Sequence, residues 1–201
     1  MDRHCHILPG VDDGVETMEE ALELIRRMKA VGLKGAYCTP HIMQRFPNTV
    51  EALQARFAEL TRHAEGLDFT LKLAAEYMID EEFDTILKKG PLLTWDDKHL
   101  LVELPQYLLP TGWMDSISLL LEQGYTPVLA HPERYIRILS IDDLLDLSDL
   151  GILFQGNIGA ITGYYGTHVQ KTAQHLRKLN LYHCWGSDAH DIQMFNRATK
   201  L

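Results

Sequence analysis

The chain has 201 residues, 46% of them hydrophobic and 23% charged, with 19 basic against 28 acidic residues and a formal net charge of −9. That length and composition support a buried core without disulfides or a structural metal, and they exclude a disordered chain. The acidic balance, with no Lys/Arg cluster, excludes sequence-independent nucleic-acid binding, which depends on displacing counterions from phosphates, and no run of about 18 apolar residues offers a membrane span.

The start, Met1-Asp2-Arg3-His4-Cys5-His6, has neither the basic segment nor the apolar run of a signal peptide, so a cytoplasmic protein without membrane insertion is expected. A first strand is read around residues 3–6, followed by a loop holding Asp12, Asp13 and Gly14. The first helix runs over about 17–31: Thr17 and Glu20 have capping-box spacing, and Met18, Ala21, Leu22, Ile25 and Met28 recur at three- and four-residue steps. Gly32 stops it. Residues 35–39 read as a buried strand, and a helix with Val50, Leu53, Phe57 and Leu60 on one face follows Asn48 and Thr49. Strand-like runs then appear at 70–76, 100–103, 126–131, 152–157 and 182–186, and helical patterns at 81–89, 113–123, 142–149 and 167–179, with Gly124 and Gly151 where helices close. Seven strands alternating with helices imply an α/β fold with a parallel sheet and crossover helices. A closed or nearly closed β/α barrel, similar to a TIM barrel, is the simplest architecture, with an open doubly wound sheet as its competitor. No repeat or linker interrupts the pattern, so residues 1–201 are read as a single domain.

Side chains able to hold a metal fall at or just past the C-terminal ends of these strands: His4 and His6, His41, Glu76, Glu103, His131, then Asp188 and His190, with Asp13 in the loop before the first helix. In β/α barrels that rim is where active sites are built. Taken singly, each feature has a plain structural reading. An HxH pair in a strand puts two imidazoles on one side because side chains alternate with period two, and Asp-Asp-Gly makes a turn. What separates the set from such readings is the delivery of five imidazoles and four carboxylates to one end of apolar strands. The donors are all nitrogen and oxygen, which suits Mn²⁺, Fe²⁺ or Zn²⁺ rather than a thiolate zinc site. Cys5, Cys38 and Cys184 lack CxxC spacing and suggest no disulfide framework. Two or three divalent cations would satisfy nine ligands, and closely spaced ions lower the pKa of a bridging water while clamping phosphoryl oxygens. A metal-bridging hydroxide is therefore the expected nucleophile of a phosphoesterase.

The segments Asp2-Arg-His-Cys-His-Ile-Leu-Pro-Gly-Val-Asp-Asp-Gly14, Thr39-Pro-His41, Ala75-Glu76, Leu101-Val-Glu103, Ala130-His-Pro-Glu-Arg134 and Gly186-Ser-Asp-Ala-His190 resemble the polymerase-and-histidinol-phosphatase (PHP) superfamily. More narrowly, together with residues 159–166, they resemble its bacterial capsule and exopolysaccharide tyrosine phosphatases. The resemblance implies a distorted seven-stranded (β/α)7 barrel and a trinuclear centre with manganese as the first expectation. It places His4, His6, Glu76 and Asp188 on one ion, Glu76 as a bridge to a second held also by Glu103 and His131, and Asp13, His41 and His190 on a third. Arg134 matches the arginine that contacts phosphate. The implied substrate is the tyrosine-phosphorylated tail of a membrane-associated bacterial autokinase controlling capsule or exopolysaccharide synthesis. Two departures stand out. Arg3 replaces an apolar residue, so a short, frayed first strand is expected, and only eleven residues follow His190, where relatives carry a further helical segment, so either incomplete closure or a shortened form lacking that C-terminal helical segment is expected. A second phosphate-binding arginine is not assigned to Arg197.

Thiol chemistry would need an arginine six positions after a cysteine, but Val11, Gln44 and His190 stand there. The competing readings are a small-molecule phosphatase of the histidinol-phosphatase type, an amidohydrolase, and a catalytically silent PHP binding module. An amidohydrolase commonly bridges its metals with a carboxylated lysine, where this chain offers Glu76 and Glu103. A silent module usually has gaps among its ligands, and here all nine positions are filled. Phe46, Tyr107, Tyr135, Tyr164 and Tyr165 lie in rim loops and are candidates to flank a phosphotyrosyl ring.

Overall fold

Local chemistry starts the helices where the spacing predicts. The computed structural model describes residues 1–200, and in it the Thr17 hydroxyl accepts from the Glu20 N–H while the Glu20 carboxylate accepts from the Thr17 N–H, so helix α1 begins at once behind its capping box (Met18–Ala30). Its buried stripe of Ala21, Leu24, Ile25 and Met28 faces the core. Helices α2 (Val50–His63), α3 (Phe83–Lys89), α4 (Trp113–Glu122), α5 (Ile141–Asp149) and α7 (Thr167–Lys178) fall within one or two residues of expectation. Gly124 and Gly151 end α4 and α5 with φ of 85° and 88°, a left-handed geometry that a Cβ would disfavour.

The strands are β1 (Asp2–Cys5), β2 (Gly35–Cys38), β3 (His41–Ile42), β4 (Thr70–Leu73), β5 (Glu76–Met78), β6 (His99–Glu103), β7 (Thr126–Ala130), β8 (Leu153–Asn157) and β9 (Tyr182–Gly186). Every ladder is parallel, in a three-stranded sheet of order β1-β2-β4 and a six-stranded sheet of order β3-β5-β6-β7-β8-β9. The expected count of seven strands is corrected to nine, and among the described strands no continuous ladder joins the two sheets into a closed barrel. The reason is local. Pro40 has no N–H to donate, so pairing stops between β2 and β3, and at the same level the run expected over 70–76 breaks at Ala74 and Ala75 into β4 and β5. Single hydrogen bonds cross the interruption, from Ala74 N–H to Cys38 O (2.9 Å) and from Glu76 N–H to Pro40 O (3.0 Å). At the other seam His6 N–H reaches Ala189 O (2.9 Å) and Asp188 N–H reaches His4 O (2.8 Å).

Helices cover the sheets, so strands such as β6 are buried on both faces and read as apolar runs. Leu100 and Val102 pack in the main core beneath the helices, whereas Leu101 joins Tyr37, Trp95, Val128 and Ala130 in a second cluster on the opposite face. Period-two alternation puts Glu103 on the same face as Leu101, one step further along. That inner face is therefore apolar toward the N-terminal ends of its strands and ligand-bearing at the C-terminal ends.

Arg3 does not fray β1. Its guanidinium lies over the rings of Tyr37 (5.1 Å) and Trp95 (5.6 Å), which accommodates a charge where an apolar residue was expected. Two helices escaped the sequence reading: α6 (Ile158–Thr162), and α8 (Ile192–Thr199), which the Asp191 carboxylate caps through the Met194 N–H. The residues after His190 supply a helix, with Phe195 and Ala198 buried, while the ladders remain open between the two sheets, in line with the incomplete closure expected.

Candidate metal centre

His4 and His6, two residues apart on the first strand and its extension, are both fully buried and direct their Nε2 atoms to one point, 3.2 Å from each other. Glu76, at the start of β5 and 1% exposed, meets them there: its Oε2 is 3.1 Å from His4 Nε2 and 3.3 Å from His6 Nε2. Asp188, past the end of β9, places Oδ1 3.4 Å and 3.5 Å from the same two nitrogens. His41 Nδ1 approaches the same Oε2 (3.2 Å), whereas His131 Nε2 meets the other oxygen, Oε1 (3.2 Å), with Glu103 3.0 Å from the first nitrogen and 3.8 Å from the second. His41 Nε2 and His190 Nε2 approach Asp13 at 3.5 Å and 3.6 Å, and the His190 ring stacks on His6 at 3.9 Å. All nine side chains singled out in the sequence therefore meet. Three groups have candidate ligand atoms within 4.8 Å of one another: His4, His6 and Asp188; His41, Glu76 and Glu103; and His6, Asp13, His41 and His190. His41 differs from expectation, since its two nitrogens face different groups.

Both carboxylate oxygens of Glu76, and Oε1 of Glu103, are buried and make no well-formed hydrogen bond; what they face is imidazole nitrogens, at 3.1 to 3.3 Å for Glu76 and 3.0 Å for Glu103. Buried carboxylates crowded by imidazoles in this way need positive charge between them, and an all N/O set of this kind suits divalent cations. The residues present fit such ions.

Burial alone would discharge His4, but Glu76 and Asp188 outweigh it and raise its pKa to about 9. Their own carboxyls are held well below the usual range by the neighbouring imidazoles in spite of burial. Burial and the charge of His6 lower His190 to about 4.

Of the groups that aim these ligands, the sequence reading noted Asp12 in its loop without giving it a role, and missed Gln155 and Asn157. Gln155 Oε1 lies 2.6 Å from His4 Nδ1, Asp12 Oδ2 lies 2.8 Å from His6 Nδ1, and Asn157 donates to Asp188 Oδ2 at 2.7 Å. Each leaves the inner atom of its partner free to face the centre. A signal was present: Gln155 and Asn157 are polar at period two on β8, the one predicted strand to which no ligand was assigned. Asp12 accepts from the His41 and Gly14 N–H groups as well as meeting His6, and with the His6 charge these hold it at about 2 despite burial. Gly14 is required by contact: a Cβ there would collide with His6 O and come within 2.6 Å of the His6 Cβ.

Arg134, in the 3-10 turn Pro132–Arg134 after β7, donates from one terminal nitrogen to Asp188 Oδ2 (2.9 Å) and lies over the Tyr165 ring. It lines a cavity of about 290 Å³ above the cluster. Of the five aromatic candidates only Phe46 lines that cavity. Tyr165 is bound to Asp188, Tyr164 packs on Tyr165, Tyr135 is fully buried with its oxygen accepting from Leu104 N–H, and Tyr107 is 78% exposed beside Arg137. The cysteines offer no thiolate, since burial raises the pKa of each, that of Cys184 to about 12.

Comparison with known proteins gives a concordant set of matches. A family model for capsular polysaccharide synthesis, CpsB/CapC, matches residues 1–201. The tyrosine-protein phosphatase YwqE of Bacillus subtilis (strain 168) is 31% identical, over all of this chain and 81% of the relative. The tyrosine-protein phosphatase CpsB of Streptococcus pneumoniae is 26% identical, over 96% of this chain and 83% of the relative. A crystal structure from a study of Bacillus subtilis YwqE and Streptococcus pneumoniae CpsB, described as metal-dependent tyrosine phosphatases, superposes with a TM-score of 0.89 at 29% identity, covering 99% of this chain and 83% of that one.

Proposed function

The chain belongs to the CpsB/CapC family of capsular polysaccharide synthesis, and from that membership we propose that it is a metal-dependent protein-tyrosine phosphatase. The observation that carries the reading is Glu76, a buried carboxylate with no well-formed hydrogen bond, set among the converging nitrogens of His4, His6, His41 and His131. In this reading His4, His6 and Asp188 hold one ion, Glu103 and His131 a second with Glu76 between the two, and Asp13, His41 and His190 a third, with manganese the first choice of metal. Bound divalent ions would supply a water of lowered pKa and clamp the oxygens of the phosphoryl group. Arg134, always charged and planar, suits the non-bridging phosphate oxygens, and its bond to Asp188 holds the fork at the cavity wall. Tyrosine leaves as a phenolate of pKa about 10 and needs little protonation. The physiological substrate is the phosphorylated tail of a membrane-associated tyrosine autokinase in capsule or exopolysaccharide assembly, met in the cytoplasm. Residues 1–201 act as one domain. The two sheets are read as one distorted barrel, a reading supported by the hydrogen bonds across both seams.

The test is elemental analysis of the purified protein, followed by chelation and stepwise return of Mn²⁺. Bound divalent metal is expected, hydrolysis of a phosphotyrosyl peptide should fall to background on chelation, and Mn²⁺ should restore it. Hydrolysis that survives complete metal removal contradicts the reading. Turnover of histidinol phosphate faster by orders of magnitude transfers the assignment to a small-molecule phosphatase.

Proton competition gives a second expectation. In the metal-free protein His4 holds its proton up to about pH 9, and ligation requires that proton to leave. Mn²⁺ affinity, measured by calorimetry, should therefore fall as pH drops from 9 to 6, by about tenfold per unit for each proton released. An affinity independent of pH would rule out imidazole ligation.

A further inference from the structure

The cavity above the cluster is walled on one side by the turn 43–46, directly after β3. Met43 and Phe46 pair across this turn through reciprocal backbone hydrogen bonds (3.2 and 3.0 Å), and the Gln44 N–H is anchored on the Asp80 carboxylate at 2.9 Å. The Phe46 ring lies parallel to His41 within 8° at 5.9 Å, and the Arg45 guanidinium stands 4.9 Å from the same ring. Phe46 is thus a braced wall. Met43 and Met78 extend the apolar surface, and Arg134 lines the same cavity. Arg45 is exposed at the rim and forms no ion pair among the described residues.

We propose that the turn 43–46 selects an aryl phosphate over an alkyl one: Phe46, with Met43 and Met78, packs the tyrosyl ring, and Arg45 draws the anionic phosphopeptide to the rim. This rests on the phosphotyrosine reading above. A phosphoseryl side chain carries its phosphate on one methylene, so with its phosphorus at the cluster it would leave the Phe46 wall uncovered. A phosphotyrosyl side chain places an aromatic ring at that height, where aromatic and sulfur contacts reward it. Arg45, which lines the cavity with its guanidinium over the Phe46 ring and has no carboxylate partner among the described residues, adds long-range attraction, which salt screens.

The test compares phosphotyrosyl and phosphoseryl peptides of otherwise identical sequence on the manganese-loaded protein, wild type and variants. Phe46→Ala should raise KM for the phosphotyrosyl peptide about tenfold with kcat nearly unchanged, leave kcat/KM for the phosphoseryl peptide in place, and so reduce the preference about tenfold. Phe46→Tyr should restore the preference, and Phe46→Leu, which keeps apolar bulk without a ring, should fall between. Calorimetry with a peptide carrying the non-hydrolysable phosphonomethyl-phenylalanine should show weakening by the same factor for Phe46→Ala. Arg45→Gln should flatten the salt dependence of kcat/KM and keep the aryl preference. An equal loss on both esters, or a preference unchanged in Phe46→Ala and Phe46→Leu, overturns the assignment. A wild-type protein that prefers the phosphoseryl peptide overturns the phosphotyrosine reading itself.

Discussion

Replacing His4 and His6 together by alanine is expected to abolish tight divalent-metal binding and to lower kcat/KM on a phosphotyrosyl peptide by about 10³-fold or more. The magnitude follows from the pattern of contacts. Loss of a single outer partner of a metal ligand costs 10- to 100-fold, and this variant removes two inner nitrogens from the group with Asp188 and from the side of Glu76. It also leaves two carboxylates, 1% exposed, with fewer positive neighbours. Removing one partner of a buried pair costs about 3–5 kcal/mol, so the metal-free variant should melt below the metal-free wild type. Elemental analysis, peptide turnover and thermal melting check the three parts separately. Full activity in the double variant would overturn the metal mechanism. Gln155→Ala provides a graded comparison: with the 2.6 Å contact to His4 Nδ1 gone, affinity should fall by about 10- to 100-fold while the ligands remain.

Gly186→Ala is expected to damage fold and site together. A Cβ at Gly186, the last residue of β9, would stand 2.5 Å from the His4 Cβ, 2.8 Å from the His4 backbone nitrogen and 3.1 Å from Gln155 Nε2. Neither His4 atom is the end of a flexible side chain, so β9 must shift from β1 and carry Asp188 away from His4 and His6. Overpacking of this kind costs about 3 kcal/mol, near the upper end for added methyl groups. For a chain of this size that is a drop in Tm of about 6–12 °C, with metal affinity lost in parallel. Gly66→Ala isolates the other effect of glycine replacement. Gly66 has φ of +85° and nothing within 4 Å of a built Cβ, so only left-handed backbone strain of about 1–2 kcal/mol is expected there, with metal binding intact. Equal melting losses accompanied by intact metal binding in both variants would contradict the close approach of the two strands at Gly186.

Much of the site was legible because metal ligation demands unusual residue types in unusual places. Histidines and carboxylates at the ends of apolar strands stand out against a background in which such positions are Val, Leu or Ala, and the eight chosen on that ground do meet, together with Asp13 from the loop before α1. Helix α1 was legible for a related reason: Thr17 with Glu20 announces its terminus through reciprocal hydrogen bonds that span only three residues, and Ser140 with Asp143, which the sequence reading did not use, does the same for α5. What escaped depended on neighbours distant in the chain. Gln155 meets His4 across 151 positions, and nothing in the residues around either one encodes that contact. Asp12 and Asp13 are adjacent and chemically alike. Only the path of the loop decides that Asp12 orients His6 while Asp13 faces His41 and His190.

The sequence by itself determined the alternation of strands and helices, the parallel pairing that this alternation implies, and the identity of the groups gathered at the C-terminal ends of the strands. Periodicity, capping and residue chemistry are local properties, readable within a few positions. The tertiary structure alone decided the division into nine strands and two sheets, the two-sided placement of His41, and the choice of Phe46 over four tyrosines as the aromatic wall of the cavity. Those outcomes depend on the breaks at Pro40 and Ala74, on loop paths, and on which side chains find hydrogen-bond partners elsewhere. Tyr165 is held by Asp188 and Tyr135 by Leu104, whereas Phe46, with no polar atom to satisfy, is fixed by the turn that carries it.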